Sequence, residues 1–518
     1  MEFNIRKKII LCVFVVLIII IIIVLVLKKN ISAKILSPII GIISLITILV
    51  GVYLYKNKSK KGGTKEIKIL QWNILARGLA DDGFLIPFNN TIKDNNNNDV
   101  TLDILFEKIK DAKEFYKKNN KDNTELNNLK NLFNTKDEKI RISNIINWDK
   151  RVNKIIDKIT KEDPDIITLQ ENDSMEFIKP LLEINGYICT FEGESKKYNR
   201  GYVDDVEHDI YMARLVESRL AFIPKTNSNA KKFGKKDPYS DNDGISIFWK
   251  KDRFKLESIT YIETFIGSKN LLNRQFEGVI CVELIDKYCV KTIHVLSTHL
   301  PSGDEKNKEI ERINTLTIKP KTMNDKLTNK YPKKEVTKDT TIDINDPNLI
   351  EFENVVKIKK NGVESRDKKT VFKYIEELTA NNIVIFAMDA NSKPQGVTYK
   401  NHENHLPNSV WQLLHEIYNF YNIWDDYFSK EGFPINKNYP ISVNKMRGPA
   451  SNQINKIGEH AFELIDHIYY SNLTLEQNTP PAFYDEPINN DILKNLMPNE
   501  NSPSDHHPII SIFNYNNS

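Results

Sequence analysis

The stretch Pro164-Asp165-Ile166-Ile167-Thr168-Leu169-Gln170-Glu171 contains a short apolar run that ends on two polar residues. In the preceding segment, 148–162, apolar side chains recur at helical spacing on one face, and Pro164 would stop that helix. A helix followed directly by a short β-rich run is the repeating unit of α/β proteins. The stretch therefore predicts a strand that carries reactive side chains at its carboxyl end.

The same alternation extends in both directions from this stretch and predicts one α/β domain over residues 66–518. A second helix is predicted at 371–379. Two stretches rich in Asn, Lys and Asp, about 89–144 and 302–366, are expected to be polar insertions that are solvated or partly disordered. The predicted strands are 67–75, 165–170, 245–249, 292–299, 383–387, 464–471 and 509–513.

Residues 1–65 differ from the rest of the 518-residue chain. They contain eleven Lys or Arg residues and the single acid Glu2, a net charge of +10, which leaves −6 of the total +4 for residues 66–518. This acidic body excludes a protein that coats nucleic acid through a broadly basic surface. Two uncharged apolar runs, 9–27 and 35–55, would each be about 30 Å long as helices, the thickness of a bilayer's hydrocarbon core. They predict an N-terminal transmembrane helical hairpin followed by a basic linker.

The predicted hairpin implies an integral, multi-pass membrane protein. Positive charges on the two outer flanks outnumber those of the connecting loop, which favours a cytosolic catalytic domain. The four cysteines, Cys12, Cys189, Cys281 and Cys289, match no zinc motif and suit a reducing compartment. A single anchor followed by one buried apolar helix is the alternative interpretation of the two runs.

Polar clusters at the ends of the apolar runs include residue types suited to phosphate chemistry. Glu171 and Asp505 offer the hard oxygen ligands that Mg²⁺ prefers, and Asn73 and His299 can donate to a phosphate. No Ser or Cys lies in a recognisable nucleophile motif, so direct attack by water is favoured over a covalent intermediate.

A second group of polar residues suits proton transfer. Asp466, within an apolar run, can fix the tautomer of His506 and raise its basicity. Asp389 and Asn391, two residues apart, can hold an attacking water and donate to a phosphoryl oxygen.

The order of these clusters resembles the endonuclease/exonuclease/phosphatase superfamily, the group of deoxyribonuclease I and apurinic endonuclease. The motifs in chain order are Trp72-Asn73, Gln170-Glu171, Thr298-His299, Asp389-x-Asn391, Ile465-Asp466-x-Ile468-Tyr469 and Ser504-Asp505-His506-x-Pro508. Further motifs are similar to the branch of nocturnin, Angel and the carbon catabolite repressor deadenylases. These are Gln71-Trp72-Asn73-Ile74-Leu75-Ala76, Trp148-Asp149-x-Arg151, the stretch 164–171 quoted above, and Asp243-Gly244-x-Ser246-Ile247-Phe248-Trp249.

The resemblance implies a four-layer α/β sandwich of two packed mixed β-sheets flanked by helices, with the active site at one edge. It implies that Glu171 binds the catalytic metal, Mg²⁺ or Mn²⁺. Asn73 would help to order the metal and the phosphate, and Asp505 would complete the metal's surroundings.

The resemblance also assigns catalytic roles. Asp389 would activate or orient the water, Asn391 would stabilise the charge that develops on the phosphoryl group, and His299 would contact the scissile phosphate. Asp466 would orient His506. Whether His506 or Asp389 is the formal base is left open.

The implied activity is metal-dependent hydrolysis of a phosphodiester, with RNA or a nucleotide as the favoured substrate. Pro301 and Gly303 stand where nocturnin-like members carry basic residues, which argues against a dinucleotide 2′-phosphatase. The membrane hairpin suggests an alternative, a lipid headgroup phosphatase or a sphingomyelinase-like phosphodiesterase. A catalytically inactive membrane scaffold is the third hypothesis.

Overall fold

The computed structural model describes residues 66–516 with gaps. The longest gaps are 192–219, 225–243, 266–275, 393–409, 426–438, 485–494 and 304–353, the last of which contains two described residues. The chain divides into two units, Met1–Thr64 and Lys65–Ser518, and the described residues all lie in the second. The predicted membrane hairpin, 1–65, lies outside the described residues, as does most of the predicted insertion 302–366.

The described residues contain five α-helices and two large sheets. The helices are α1 (Leu102–Lys118), α2 (Thr124–Phe133), α3 (Lys136–Ile146), α4 (Trp148–Glu162) and α5 (Met175–Ile184). The strands are β1 (Glu66–Asn73), β2 (Thr91–Lys93), β3 (Asp99–Thr101), β4 (Ile166–Gln170), β5 (Tyr187–Ile188), β6 (Phe222–Pro224), β7 (Gly244–Lys250), β8 (Phe254–Phe265), β9 (Phe276–Asp286), β10 (Lys291–His299), β11 (Asn354–Lys360), β12 (Val363–Lys369), β13 (Ile383–Asp389), β14 (Tyr421–Asn422), β15 (Tyr439–Pro440), β16 (Val443–Met446), β17 (His460–Glu463), β18 (Asp466–Ser471), β19 (Leu473–Thr479), β20 (Phe483–Tyr484) and β21 (Ile509–Tyr515).

Both large sheets are mixed. The first has seven strands in the order β19-β21-β1-β4-β7-β5, with β6 also paired to β7, and β1 runs parallel to β4. The second has eight strands in the order β12-β11-β8-β9-β10-β13-β18-β14, and β10 runs parallel to β13. Buried side chains from both sheets, among them Ile69, Leu169, Val295 and Phe386, form one hydrophobic core. The prediction of two packed mixed sheets is confirmed.

Helix α4 shows how local sequence signals set an element's bounds. The Asn147 side chain accepts a hydrogen bond from the Lys150 amide (3.2 Å) and caps the first turn, and Asp163 ends the helix in a left-handed conformation directly before Pro164. Its apolar face, including Ile155 and Ile159, packs into the core. The helix has the bounds that the sequence predicts.

Each predicted strand is present, with differences at some ends. The predicted strand 464–471 begins at Asp466, because the Ser442 hydroxyl accepts hydrogen bonds from the amides of Ile465 (3.0 Å) and Asp466 (3.2 Å). The predicted strand 67–75 ends at Asn73, because Leu75 has a left-handed backbone (φ 57°). Of the predicted helix 371–379, the described residues 375 and 377–379 are helical.

The expectation of a partly disordered loop at 89–144 is wrong, whereas the alternative of a solvated polar insertion stays a prediction. The segment forms β2, β3, α1, α2 and most of α3. Apolar residues at helical spacing within its polar composition, such as Leu102, Leu105 and Ile109 of α1, are buried. They pack in a second core with Met446, the last residue of β16, and Ile457, in the loop that joins β16 to β17. The segment thus supports the hairpin formed by β16 and β17.

Gly458, in the loop between β16 and β17, permits this packing. It has φ 78°, and a Cβ atom built there would lie 2.2 Å from Cγ2 of Ile109. Gly458→Ala is expected to lower the free energy of unfolding by about 1–3 kcal/mol through overpacking, in addition to the cost of the left-handed backbone. Chemical denaturation measured by circular dichroism checks this.

Gly186→Ala is the matched control for Gly458→Ala. Gly186 has a similar φ of 87°, but a Cβ atom there would meet nothing within 4 Å. The control therefore carries the backbone cost without the steric cost. An equal loss of stability in the two variants would contradict close packing of α1 against this loop.

Candidate active site

The site lies where the carboxyl ends of strands from both sheets meet. In the first sheet the parallel register pairs Asn73 with Gln170, the residue before Glu171. In the second sheet His299 pairs with Asp389, and Asp389 pairs with Asp466 across the antiparallel neighbour. Because parallel strands end at a common edge, these registers bring residues distant in the chain to one place.

Asn73 links the two sheets at this edge. Its Nδ2 donates to Oε1 of Glu171 (2.9 Å) and to Oδ2 of Asp389 (2.9 Å). Its Oδ1 accepts a hydrogen bond from the Leu75 amide (3.0 Å), and Oε2 of Glu171 accepts one from the Ala76 amide (2.9 Å). Asn73 therefore orients the two carboxylates. Its predicted role in ordering a metal would be exerted through them, since its own oxygen is engaged by the backbone.

Asp466 and His506 form a buried hydrogen-bonded pair. Oδ2 of Asp466 accepts from Nδ1 of His506 (2.8 Å), and Oδ1 of Asp466 accepts from Gln71 (2.8 Å). Burial alone would lower the pKa of His506, but the charges of Asp466, Asp505 and Asp389 outweigh burial and raise this pKa to about 9. The pair supports a role in holding and moving a proton.

Asp389 is the residue that the other predicted catalytic groups face. Its Oδ2 lies 3.8 Å from Nε2 of His506 and 3.4 Å from Nε2 of His299. Its Oδ1 accepts a hydrogen bond from the Asn391 amide (2.9 Å). With Asn73 on the same carboxylate, Asp389 connects the groups of the two sheets.

Asn391 reaches the site through an unusual backbone. It has φ 48°, and its side-chain Nδ2 donates to the carbonyl oxygen of Leu300 (2.8 Å). Leu75 (φ 57°) and Glu171 (φ 54°) are left-handed as well. A non-glycine residue in this conformation costs about 1–2 kcal/mol, and such strain is common where a fold holds functional side chains in place.

Asp505 is buried and paired with a lysine that the sequence did not place in the site. Oδ2 of Asp505 lies 2.5 Å from Nζ of Lys445, and its Oδ1 accepts from the Ser504 hydroxyl (3.4 Å). Burial raises the pKa of Asp505, but Lys445 and His506 more than offset it, so this pKa is held well below its usual range. Nothing local in the sequence indicates this pairing, because a charged residue in a polar segment is usually solvated.

Arg151 is a second buried cation, which the motif at 148–151 contains but to which no role was assigned. Its guanidinium donates to the carbonyl oxygens of Pro503 (2.6 Å), Ile74 (2.7 Å) and Leu75. Burial lowers its pKa to about 10, and the charge of Asp505 opposes this effect, so the group remains charged at neutral pH. Arg151 thus holds together the loops that carry Asn73 and Asp505.

A row of amide and hydroxyl groups joins the sheets beneath the site. Nε2 of Gln71, besides its bond to Asp466, donates to Oε1 of Gln170 (2.8 Å), and Nε2 of Gln170 donates to the Ser297 hydroxyl (2.9 Å). Gln71, Gln170 and Ser297 are all buried. Gln71 and Gln170 stand within the motifs, but the sequence does not assign them this role, since nothing local shows which strands face each other.

The donor set suits a divalent metal ion with oxygen ligands. Glu171 and Asp389 converge on one amide nitrogen, and carboxylate oxygens are the ligands that Mg²⁺ and Mn²⁺ prefer. Among the described residues, Asp389, Asp466 and His506 also have ligand atoms within 4.8 Å of one another. In this second group, however, Nδ1 of His506 and both oxygens of Asp466 already make hydrogen bonds, which suits a proton relay better than a metal cage.

The scan against protein-family models gives no match to this chain, and the search of curated proteins gives none either. Among solved structures, the catalytic domain of human nocturnin with bound sulfate is similar at 15% identity and a TM-score of 0.38, covering 87% of this chain and 94% of that chain. ANGEL2, a 2′,3′-cyclic phosphatase, in complex with adenosine-2′,3′-vanadate is similar at 13% identity and a TM-score of 0.43, covering 86% and 95%. An endonuclease/exonuclease/phosphatase family protein from Bacteroides thetaiotaomicron is similar at 10% identity and a TM-score of 0.34, covering 86% and 97%.

The two packed mixed sheets and the polar edge between them are what the motifs predict for the endonuclease/exonuclease/phosphatase superfamily. At these identities the similarity concerns the fold and does not extend to a substrate.

No helix among the described residues is both long enough and apolar enough to cross a membrane. The two runs predicted to do so, 9–27 and 35–55, lie outside the described residues. The hairpin therefore stays a prediction from the sequence.

Proposed function

We propose that residues 66–518 form a metal-dependent phosphoesterase that hydrolyses a phosphodiester by attack of water, and specifically a nuclease acting on RNA or a nucleotide. The observation that carries the proposal is the contact between sheets at the site. Asn73 joins Glu171 to Asp389, and Asp389 faces the buried Asp466–His506 pair. Separate structural roles would not require these groups at one edge.

Each of these side chains has a separate role in the proposed hydrolysis. Asp389 accepts a hydrogen bond from the attacking water and orients it, while His506, held by Asp466, supplies or receives a proton. His299 donates to the scissile phosphate, and the second N–H of the Asn391 amide donates to a phosphoryl oxygen in the transition state. No side chain is needed as a covalent nucleophile.

A bound Mg²⁺ or Mn²⁺ ion would act as a Lewis acid and neutralise charge on the phosphate. Glu171 would hold this ion directly. Asn73 would fix the Glu171 carboxylate, and Asp505 would contribute negative charge nearby.

Substrate assays with the full chain in detergent micelles test the proposal. Poly(A) RNA, a 2′,3′-cyclic nucleotide, NADP, phosphoinositides and sphingomyelin would each be supplied with Mg²⁺ and with EDTA. Turnover of RNA or a nucleotide that EDTA abolishes would support the proposal. Turnover of lipid alone would favour the lipid phosphatase or sphingomyelinase-like alternative. A folded protein inactive on every substrate would favour the membrane scaffold.

We also propose that the hairpin at 1–65 anchors the domain and that the domain faces the cytosol. The two uncharged runs and the surrounding positive charges support this. The full chain should stay in the membrane pellet after alkaline carbonate extraction, while residues 66–518 should be released. Digestion of the domain by protease added outside intact cells would contradict the orientation, as would protection of the domain from protease added to intact organelles.

A further inference from the structure

The carboxylates of the site differ in what neutralises them. Glu171 and Asp389 share the neutral amide of Asn73. Asp505 instead lies against the ammonium of Lys445, at 2.5 Å. Only 3% of the Asp505 side chain is exposed, so its charge requires a partner in the protein or a bound ion.

Lys445 is held in place by the backbone on which it lies. Its strand β16 pairs with β17, and Lys445 is opposite Ala461. The amide of His507 donates to the carbonyl oxygen of Ser442 (2.8 Å), and Val443 forms a bridge with His506. These bonds fix β16 beside the loop that carries Asp505. The Lys445 side chain is 28% exposed, unlike that of a freely moving surface lysine.

Lys445 is attracted by both carboxylates assigned to the metal site, Glu171 and Asp505. The Lys445 ammonium lies against the Asp505 carboxylate, and the negative charge of Glu171 also acts on it. The cation therefore lies in the field of Glu171 as well as in contact with Asp505. A second divalent ion at Asp505 would have to displace this ammonium or stand beside it, and like charges a few ångströms apart repel.

We propose that Lys445 is a built-in cation of the site, which neutralises Asp505 in place of a second divalent ion, so that the site binds one divalent cation, on the side of Glu171. The proposal rests on the metal-dependent function above and adds the number of ions and the residue that sets it. Lys445 is a positioning residue in this proposal, since it acts through Asp505.

Metal binding by the full chain in detergent, with Mn²⁺ as the probe, tests the proposal. Isothermal titration calorimetry and the electron paramagnetic resonance signal of free Mn²⁺ would give the stoichiometry. One ion per wild-type chain is expected. Lys445→Met, which keeps the length of the side chain and removes its charge, should bind a second ion or bind the first at least about tenfold more tightly. Lys445→Arg should keep one ion, and Lys456→Met, in the loop that joins β16 to β17, should behave as wild type.

Thermal unfolding gives an independent readout and controls for misfolding. Without metal, Lys445→Met should be less stable than wild type, because Asp505 is left buried without its cation. Saturating Mn²⁺ should raise the unfolding temperature of Lys445→Met more than that of wild type.

The possible failures are distinguishable. Two ions bound by both wild type and Lys445→Met would overturn the role of Lys445 and leave the metal-dependent function intact. The same holds if Mn²⁺ shifts the unfolding temperature of the two proteins equally. No Mn²⁺ bound by either protein would overturn the proposed function, and the inference with it.

Discussion

Glu171→Gln is expected to reduce turnover by a factor on the order of 10³ or more, because loss of metal-based charge stabilisation removes several kcal/mol. Gln keeps the shape of the side chain and one acceptor oxygen. It replaces the other oxygen with a donor, which would face either Nδ2 of Asn73 or the amide of Ala76. The variant thus loses both the negative charge and one of the two hydrogen bonds that orient it.

The measurement is the rate on whichever substrate the wild type hydrolyses, together with Mn²⁺ affinity by calorimetry. Glu162→Gln is the control, since Glu162 is in a partly exposed ion pair with Lys68 (3.3 Å), near the amino end of β1, whereas the site residue Asn73 ends that strand. Exposed pairs of this kind contribute about 0–1 kcal/mol, so the control should keep its activity. Unchanged metal affinity and rate in a folded Glu171→Gln protein would refute the assignment of Glu171 as the metal ligand.

The second large effect is expected from separating Asp466 and His506. His506→Asn and Asp466→Asn should each reduce turnover by about 10²–10⁴, the range for a general acid–base group. The physical reason is that Asp466 fixes the Nδ1–H of His506 at 2.8 Å, so that Nε2 faces Asp389. Without Asp466, His506 is no longer held where it can deliver a proton. Without His506, Asp466 has no imidazole to orient.

A double variant distinguishes this unit from two independent contributions. Residues that act as one unit are strongly non-additive, so Asp466→Asn with His506→Asn should be little slower than the slower single variant. His507→Asn, at the adjacent histidine, is the matched control and should change the rate by less than about tenfold, because His507 is fixed through its backbone bond to Ser442. Multiplicative losses in the double variant would show that the two residues do not cooperate.

Much of the site could be predicted because its residues lie at the ends of recognisable strands. Gln170-Glu171, Thr298-His299 and Asp389-x-Asn391 each follow an apolar run, and the observed strands end within or directly before these motifs. A strand buried on both faces requires a run of consecutive apolar residues. Such a run is a local property of the chain and can be recognised in the sequence. The helices at 102–146 were not predicted, because each has only a narrow apolar face within a mostly polar segment.

The roles of Lys445 and Arg151 could not be predicted in the same way. A lysine in a polar loop and an arginine in a helix are most often solvated, and only the packed structure shows one against Asp505 and the other against three backbone carbonyls. Whether such a cation meets a carboxylate depends on tertiary contacts, and for Lys445 the backbone contacts between 442–443 and 506–507 place β16 beside the loop that carries Asp505.

The sequence by itself determined the α/β alternation, the strand that ends at Glu171, the bounds of α4 and the residue types available for chemistry. These properties depend on neighbours within one or two turns or one strand. The tertiary structure alone decided which residues meet. Asn73 contacts Asp389 over 316 residues of chain, and Gln71 contacts Asp466 over 395. Such contacts depend on how two sheets pack, and packing is a property of the whole core rather than of any local pattern.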